Sequence, residues 1–350
     1  MLKRSLSCGV LFALATTSAL AQSTPTIESL QASAKQYAGT DWAGTFTRLC
    51  VPQVSGNLVI PTVNPANYPT DLLPTPPGGT PPRANWYAPP ARIGDNLYFL
   101  GTRNHSTFAL VTRRGKEIIL IDGNFDYATE PEIHDGLRKL GLDPQNVKYS
   151  IYAHAHGDHD GGAHLTEAAI PGVTIVYGEG DWPAVLARTG PHATRFGPQN
   201  DGTDGRVITV GGDLSLRIVT MPGHTPGTIS FLFEFMDDGK PIRVAYPGGT
   251  AISFTSTDPA FHDQYIASAR KFAQQAAGFG ATALLSNHTE FDNAYFKAHT
   301  AAALRGLRSN RPRDEDVPNP FAVGQRRVLN YMAVVELCAM SAKLRAIGTL

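Results

Sequence analysis

The chain has no surplus of either charge: 30 lysines and arginines face 30 aspartates and glutamates over 350 residues. A protein that grips a polyanion carries a basic excess or stripe, so nucleic acid is not an expected partner. Charged residues are scarce, at 17% against 42% hydrophobic, which excludes a chain disordered throughout. Long apolar runs are missing after residue 21, so no membrane span is expected there. No repeat of solenoid period is present. Cysteine is rare, with three in the whole chain. What is abundant is turn chemistry: 34 glycines and 26 prolines, which break the chain often.

The first residues read as a targeting segment. Lys3 and Arg4 start it, an apolar core follows from Cys8 to Leu14, and Ala19-Leu20-Ala21 fits a small-x-small cleavage site. Residues 1–21 are therefore expected to be a signal peptide and the protein periplasmic or secreted. A membrane anchor is the rival, but the apolar core is short for a bilayer. Cleavage would leave Cys50 and Cys338, either bridged in an oxidising compartment or present as two separate buried thiols.

Two regions follow. Residues 22–90 form an N-terminal segment with a weakly helical stretch, Ile27 to Tyr37, and a proline-rich arm. The arm, 51–90, holds eleven prolines and only Asp71 and Arg83 as charges. Proline withholds backbone donors, so an extended, irregular course is expected. Tyr68, Trp86 and Tyr87 would favour packing over the domain to exposure in a linker. Residues 91–350 read as one catalytic domain. Strands are expected at Asn96–Gly101, Thr107–Val111, Glu117–Ile121, Val147–Ala153, Val173–Tyr177, Arg206–Val210 and Leu214–Met221. Thr228–Phe235 and Ile242–Tyr246 form a hairpin over residues 236–240, and Ala281–Ser286 is a buried strand. Helices are expected at Glu130–Leu140, Trp182–Arg188, Gln264–Ala277 and Gln325–Ile347, the last stopped by Gly348. Strands then helices, in both halves, predict sheets covered by helices, a layered α/β architecture.

The informative segment is His154-Ala155-His156-Gly157-Asp158-His159-Asp160-Gly161-Gly162. Imidazole and carboxylate are good zinc ligands. His154 and His156 leave an extended backbone on one face. Asp158 and His159 come after Gly157, where the chain turns towards a second position. Uncoordinated, such a cluster beside a buried strand is hard to satisfy with hydrogen bonds, which counts against a plain polar loop. His224 lies in a stiff Pro222-Gly223-His224-Thr225-Pro226-Gly227 frame, and His288 follows a buried strand. Alone, each would read as a surface or capping histidine; with the cluster they complete two sets of three. His105 sits on a loop within reach of such a cleft but reads as an ordinary polar loop residue, as do Asp160, His134, His164, His192, His262 and His299.

The His-x-His-x-Asp-His run, the later Gly-His-Thr-Pro-Gly and the late histidine resemble the metallo-β-lactamase superfamily, with order and spacing alike over roughly residues 92–300. Ile121-Asp122-Gly123 resembles that family's early strand and turn. The resemblance implies a four-layer αββα sandwich with two zinc ions per chain at one edge. It implies that His154, His156 and His224 hold the first ion and Asp158, His159 and His288 the second, with Asp122 beneath them. Use of His159, lack of a cysteine ligand and Thr102 after Gly101 are similar to the third subclass of metallo-β-lactamases. Glyoxalase-II-like enzymes and many lactonases carry a bridging aspartate where Gly249 stands here. Gly248-Gly249 also replaces the subclass's usual Asp-Ser, which leaves Thr250 or Ser253 to supply the hydroxyl near a substrate carboxylate. The implied activity is β-lactam hydrolysis, with Asp158 orienting the nucleophile and a small molecule as substrate. A zinc lactonase or esterase of the same fold is the alternative. An iron dioxygenase of this fold or a structural zinc module fits the six ligands less well.

Overall fold

A computed structural model describes residues 24–51, 79–112, 115–194, 197, 200–252, 256–308 and 317–348. The expected signal peptide, Tyr68, most of the proline-rich arm and Ser253 lie outside the described residues.

Two sheets carry the molecule. The first runs β1 (Ala91–Arg92), β2 (Leu97–Phe99), β3 (Phe108–Val111), β4 (Ile118–Ile121), β5 (Val147–Ile151) and β6 (Thr174–Val176) in spatial order. Its first four strands are antiparallel and β5 and β6 join in parallel. The second holds β7 (Val207–Val210), β8 (Leu214–Thr220), β9 (Ile229–Asp237), β10 (Lys240–Tyr246) and β11 (Ala283–Leu284), with only β11 parallel to its neighbour.

Alternation along the strands decides which face each sheet buries. In β9, Phe231, Phe233 and Phe235 meet Leu97, Phe99, Phe108 and Ile119 of the first sheet in one core. The residue between two of them, Leu232, points to the other side and packs with helices. Those helices are α1 (Ile27–Ala38), α2 (Ala43–Cys50), α3 (Pro259–Phe279) and, after α4 (Ala294–Arg308), α5 (Gln325–Gly348). Leu120, Ile118 and Ala109 of the first sheet pack outward on Ile133, Leu137, Ala163 and Trp182. The order is helix, sheet, sheet, helix: the αββα sandwich the resemblance implied. Among the described residues no helix is long and apolar enough to cross a membrane.

Cys50 and Cys338 are bridged, which ties α2 to α5. Trp42 and Leu49 lie in the same core as Val335 and Cys338. Trp86 is buried, with its indole N–H donating to the Pro81 carbonyl (2.9 Å) and its ring beside Tyr127.

Several boundaries differ from expectation for physical reasons. The β9–β10 hairpin turns on Asp238-Gly239 alone, at φ 50° and 74°, so both strands run longer than expected. That dipeptide suits the left-handed pair a two-residue hairpin turn needs. Helix α3 starts at Pro259, where the Asp258 carboxylate accepts from the Ala260 N–H (2.9 Å). Gly348 lies inside α5 instead of stopping it. Helix α4 was not expected at all. It buries only Ala294, Ala298 and Ala301 and leaves Phe296 71% exposed, so its large side chains do not mark its inner face.

Candidate metal centre

The sheets end together at one edge, and the chain changes direction there. After β5, residues 152–156 carry His154 and His156 out of the sheet, and a short helix, Gly157–Asp160, turns Asp158 and His159 back. His224 follows β8, and His288 follows β11. All six sequence-predicted ligands therefore meet at this edge, in two groups.

In the first group, the His224 Nε2 lies 3.1 Å from the His154 Nε2 and 3.0 Å from the His156 Nδ1. The tautomers follow from the far sides of the rings. His154 Nδ1 faces the Gly248 carbonyl at 2.9 Å and His224 Nδ1 the Ala251 carbonyl at 2.8 Å. A carbonyl only accepts, so both rings donate there and turn bare lone pairs towards each other. Two bare imidazole lone pairs and the His156 Nδ1 converge on one point, a donor set that zinc fits. Burial and the neighbouring imidazoles push the His154 pKa well down, and the same causes push His224 down to about 4, so both rings stay neutral.

In the second group, the Asp158 Oδ2 lies 3.4 Å from the His159 Nε2 and 3.5 Å from the His288 Nε2, which are themselves 3.1 Å apart. Burial alone would raise the Asp158 pKa, but the His105 contact and the charges of His159, His288 and His105 hold it below the usual carboxylate range. Burial opposes charge on His159, yet the Asp122, Asp158 and Asp160 carboxylates raise its pKa. Burial lowers that of His288.

Asp122 sits below both groups. Its carboxylate accepts from the Ala153 N–H (2.6 Å) and the Tyr246 hydroxyl (2.7 Å) and lies 3.4 Å from the His159 Nδ1. It adopts φ 60°, a left-handed conformation aspartate tolerates, and the N–H groups of Gly123 and Asn124 both donate to the His159 carbonyl. This turn fixes His159 from two sides.

Two findings depart from the sequence reading. Thr250, expected beside the substrate, is buried; its hydroxyl pairs with the Tyr331 hydroxyl (2.9 Å) and its carbonyl accepts from Tyr265. The fold spends that side chain on the helix layer. Asp181, by contrast, went unnoticed. Its carboxylate accepts from Ala155 N–H (2.9 Å), the Thr225 hydroxyl (2.9 Å) and Gly227 N–H (2.8 Å), so it clamps the His154–His156 segment to the His224 loop. No nearby motif marks it; Gly227, where a Cβ would lie 2.2 Å from the Asp181 nitrogen, is its counterpart across the clamp.

Residues 101–239 match the family model described as the metallo-beta-lactamase superfamily. Among curated proteins, the chain is 29% identical over 134 residues to "Glyoxylase B2" of Dictyostelium discoideum, which is 33% of this chain and 44% of that one. It is 26% identical over 166 residues to an "N-acyl homoserine lactonase" of Rhizobium radiobacter, 39% of this chain and 61% of that one. The chain thus spans about half the length of these relatives. A solved subclass B3 metallo-beta-lactamase of Bradyrhizobium japonicum superposes with a TM-score of 0.54 at 23% identity, covering 72% of this chain and 93% of that one. That likeness shows a shared fold.

Proposed function

This chain carries a metallo-β-lactamase superfamily domain, and on that premise we propose that it is an exported two-zinc hydrolase that opens β-lactam rings. His154, His156 and His224 would hold one ion, and Asp158, His159 and His288 the other. Zinc there would supply Lewis acidity and lower the pKa of a water towards neutral. The chain's own groups do the rest. Asp158, kept ionised, accepts a hydrogen bond from the attacking water and so orients it. Asp122 and Asp181 are positioning residues: the first orients His159, the second holds the first two histidines against the His224 loop. No serine or cysteine nucleophile is required.

The observation that favours a β-lactam over a lactone is steric. A Cβ at Gly249 would lie 2.7 Å from the Thr228 Cγ2 and 2.8 Å from the His224 Cβ; one at Gly248 would lie 1.9 Å from the Ile229 carbonyl oxygen. The bridging carboxylate of glyoxalase-II-like enzymes has no space here, and the Gly248 carbonyl is occupied with His154 and Asn287 instead. The lactonase relative supports the second reading, a zinc lactonase or esterase. The test sets zinc-loaded protein against a penicillin, a cephalosporin, a carbapenem and a simple lactone, with and without chelator. Chelator-sensitive turnover of a β-lactam is expected; turnover of the lactone alone overturns the substrate.

A further inference from the structure

The second group contains a member that the six-ligand reading omits. His105, Asp158 and His288 each offer a ligand atom, and those atoms lie within 4.8 Å of one another. The His105 Nε2 is 3.4 Å from the Asp158 Oδ2, the same distance as the His159 Nε2 and within 0.1 Å of the 3.5 Å at His288. Three imidazole nitrogens thus lie 3.4–3.5 Å from one carboxylate oxygen. A charge-assisted N–H···O bond closes to about 2.7–2.9 Å. Ligand atoms about 2.1 Å from a shared tetrahedral centre stand about 3.4 Å apart. The 3.4 Å between His105 and Asp158 matches that spacing and is longer than a closed charge-assisted hydrogen bond.

His105 does not reach this place on a loose loop. It pairs with His288 in an isolated antiparallel bridge. The Ser106 N–H donates to the Asn287 carbonyl (2.8 Å), the Thr289 N–H to the Asn104 carbonyl (3.0 Å) and the Thr289 hydroxyl to the Arg103 carbonyl (2.6 Å). The Thr102 hydroxyl accepts from the His105 N–H at 3.0 Å. A Cβ at Gly101 would lie 2.3 Å from the His105 carbonyl oxygen, so the loop closes tightly on itself. The Phe125 ring meets the His105 ring edge to face at 5.2 Å. The same backbone bridge that places His288 places His105.

We propose that His105 is a fourth protein ligand of the second zinc, beside Asp158, His159 and His288. This rests on the two-zinc reading above. Four protein ligands would make the second site a closed one, whereas the three histidines of the first group would leave a position open. The residues of the first group would then hold the ion that meets the substrate, and those of the second would hold theirs more tightly.

The test counts and titrates metal in the full chain, independently of turnover. Metal-free wild type, H105L and H105N are titrated with zinc against a chromophoric chelator, and with cobalt(II) while its visible absorption is read. The expected result is two ions per chain in wild type, a second ion weaker by about tenfold or more in both variants, a changed cobalt spectrum at the second equivalent, and an unchanged first ion. The unchanged first ion serves as the control that the variants fold. Two ions in wild type with equal second-ion affinity and an identical cobalt spectrum in the variants overturn the role of His105 alone. One ion per chain in wild type overturns the two-zinc reading and this proposal with it.

Discussion

The two proposed ligand groups sit at one edge of the same sandwich, yet they are built on different principles. The first is all imidazole. Two of its rings are locked by backbone carbonyls, of Gly248 and Ala251, and burial keeps them neutral. The second is built around a carboxylate, and its buried His159 is drawn towards the charged form by Asp122. On the proposed assignment, affinity for a cation would be prepared in two ways: by removing competing protons in advance, or by placing fixed negative charge and accepting some proton competition.

The strongest way to break the comparison is to remove that charge. Asp158→Ala should lower turnover on the order of 10³-fold, and the bound metal should fall towards one ion per chain. Two ions retained with full activity would show that the second group does not depend on its carboxylate. Asp181→Asn tests the other group, because it weakens the clamp between the His154–His156 segment and the His224 loop without touching a ligand. A loss of about 10–100-fold in affinity for the first ion is expected, with the second ion little changed; chelator competition reads both.

Acidity separates the groups more gently. His159 has a raised pKa, so as pH falls it takes up the proton that metal binding must expel before His154 or His224 does. His224, held at about 4, stays neutral far below that point. Dialysis across descending pH should therefore release the second ion before the first; the reverse order would contradict the assignment. The smallest effect on the groups should come from the bridge between α2 and α5. Cys338→Ser should cost about 2–4 kcal/mol of stability, seen as a lower Tm, while both zinc affinities stay the same.

Much of the site was legible because its signal is local. Four ligand-type residues stand within six positions, from His154 to His159, and the His224 frame of proline and glycine is nearly as compact. Local patterning likewise exposed most strands, since alternation survives in β8 and β9. What was hidden depends on partners far along the chain. Asp181 matters only because the fold brings Ala155, Thr225 and Gly227 to its carboxylate. His105 looks like any loop histidine until β-bridging sets it against His288. Helix α4 was missed because its fully buried residues are alanines and Phe296 and Leu307 point outward.

The sequence by itself determined the ligand chemistry, the layered class of fold and the absence of a carboxylate at Gly248-Gly249. Each of these is a property of residue identity or of spacing along a few residues. Only the tertiary structure decided that Cys50 meets Cys338, that Thr250 belongs to the helix layer, and that His105 faces Asp158. Those outcomes depend on closing long loops and pairing distant backbones, and no local pattern encodes the distance between two side chains so far apart in the chain.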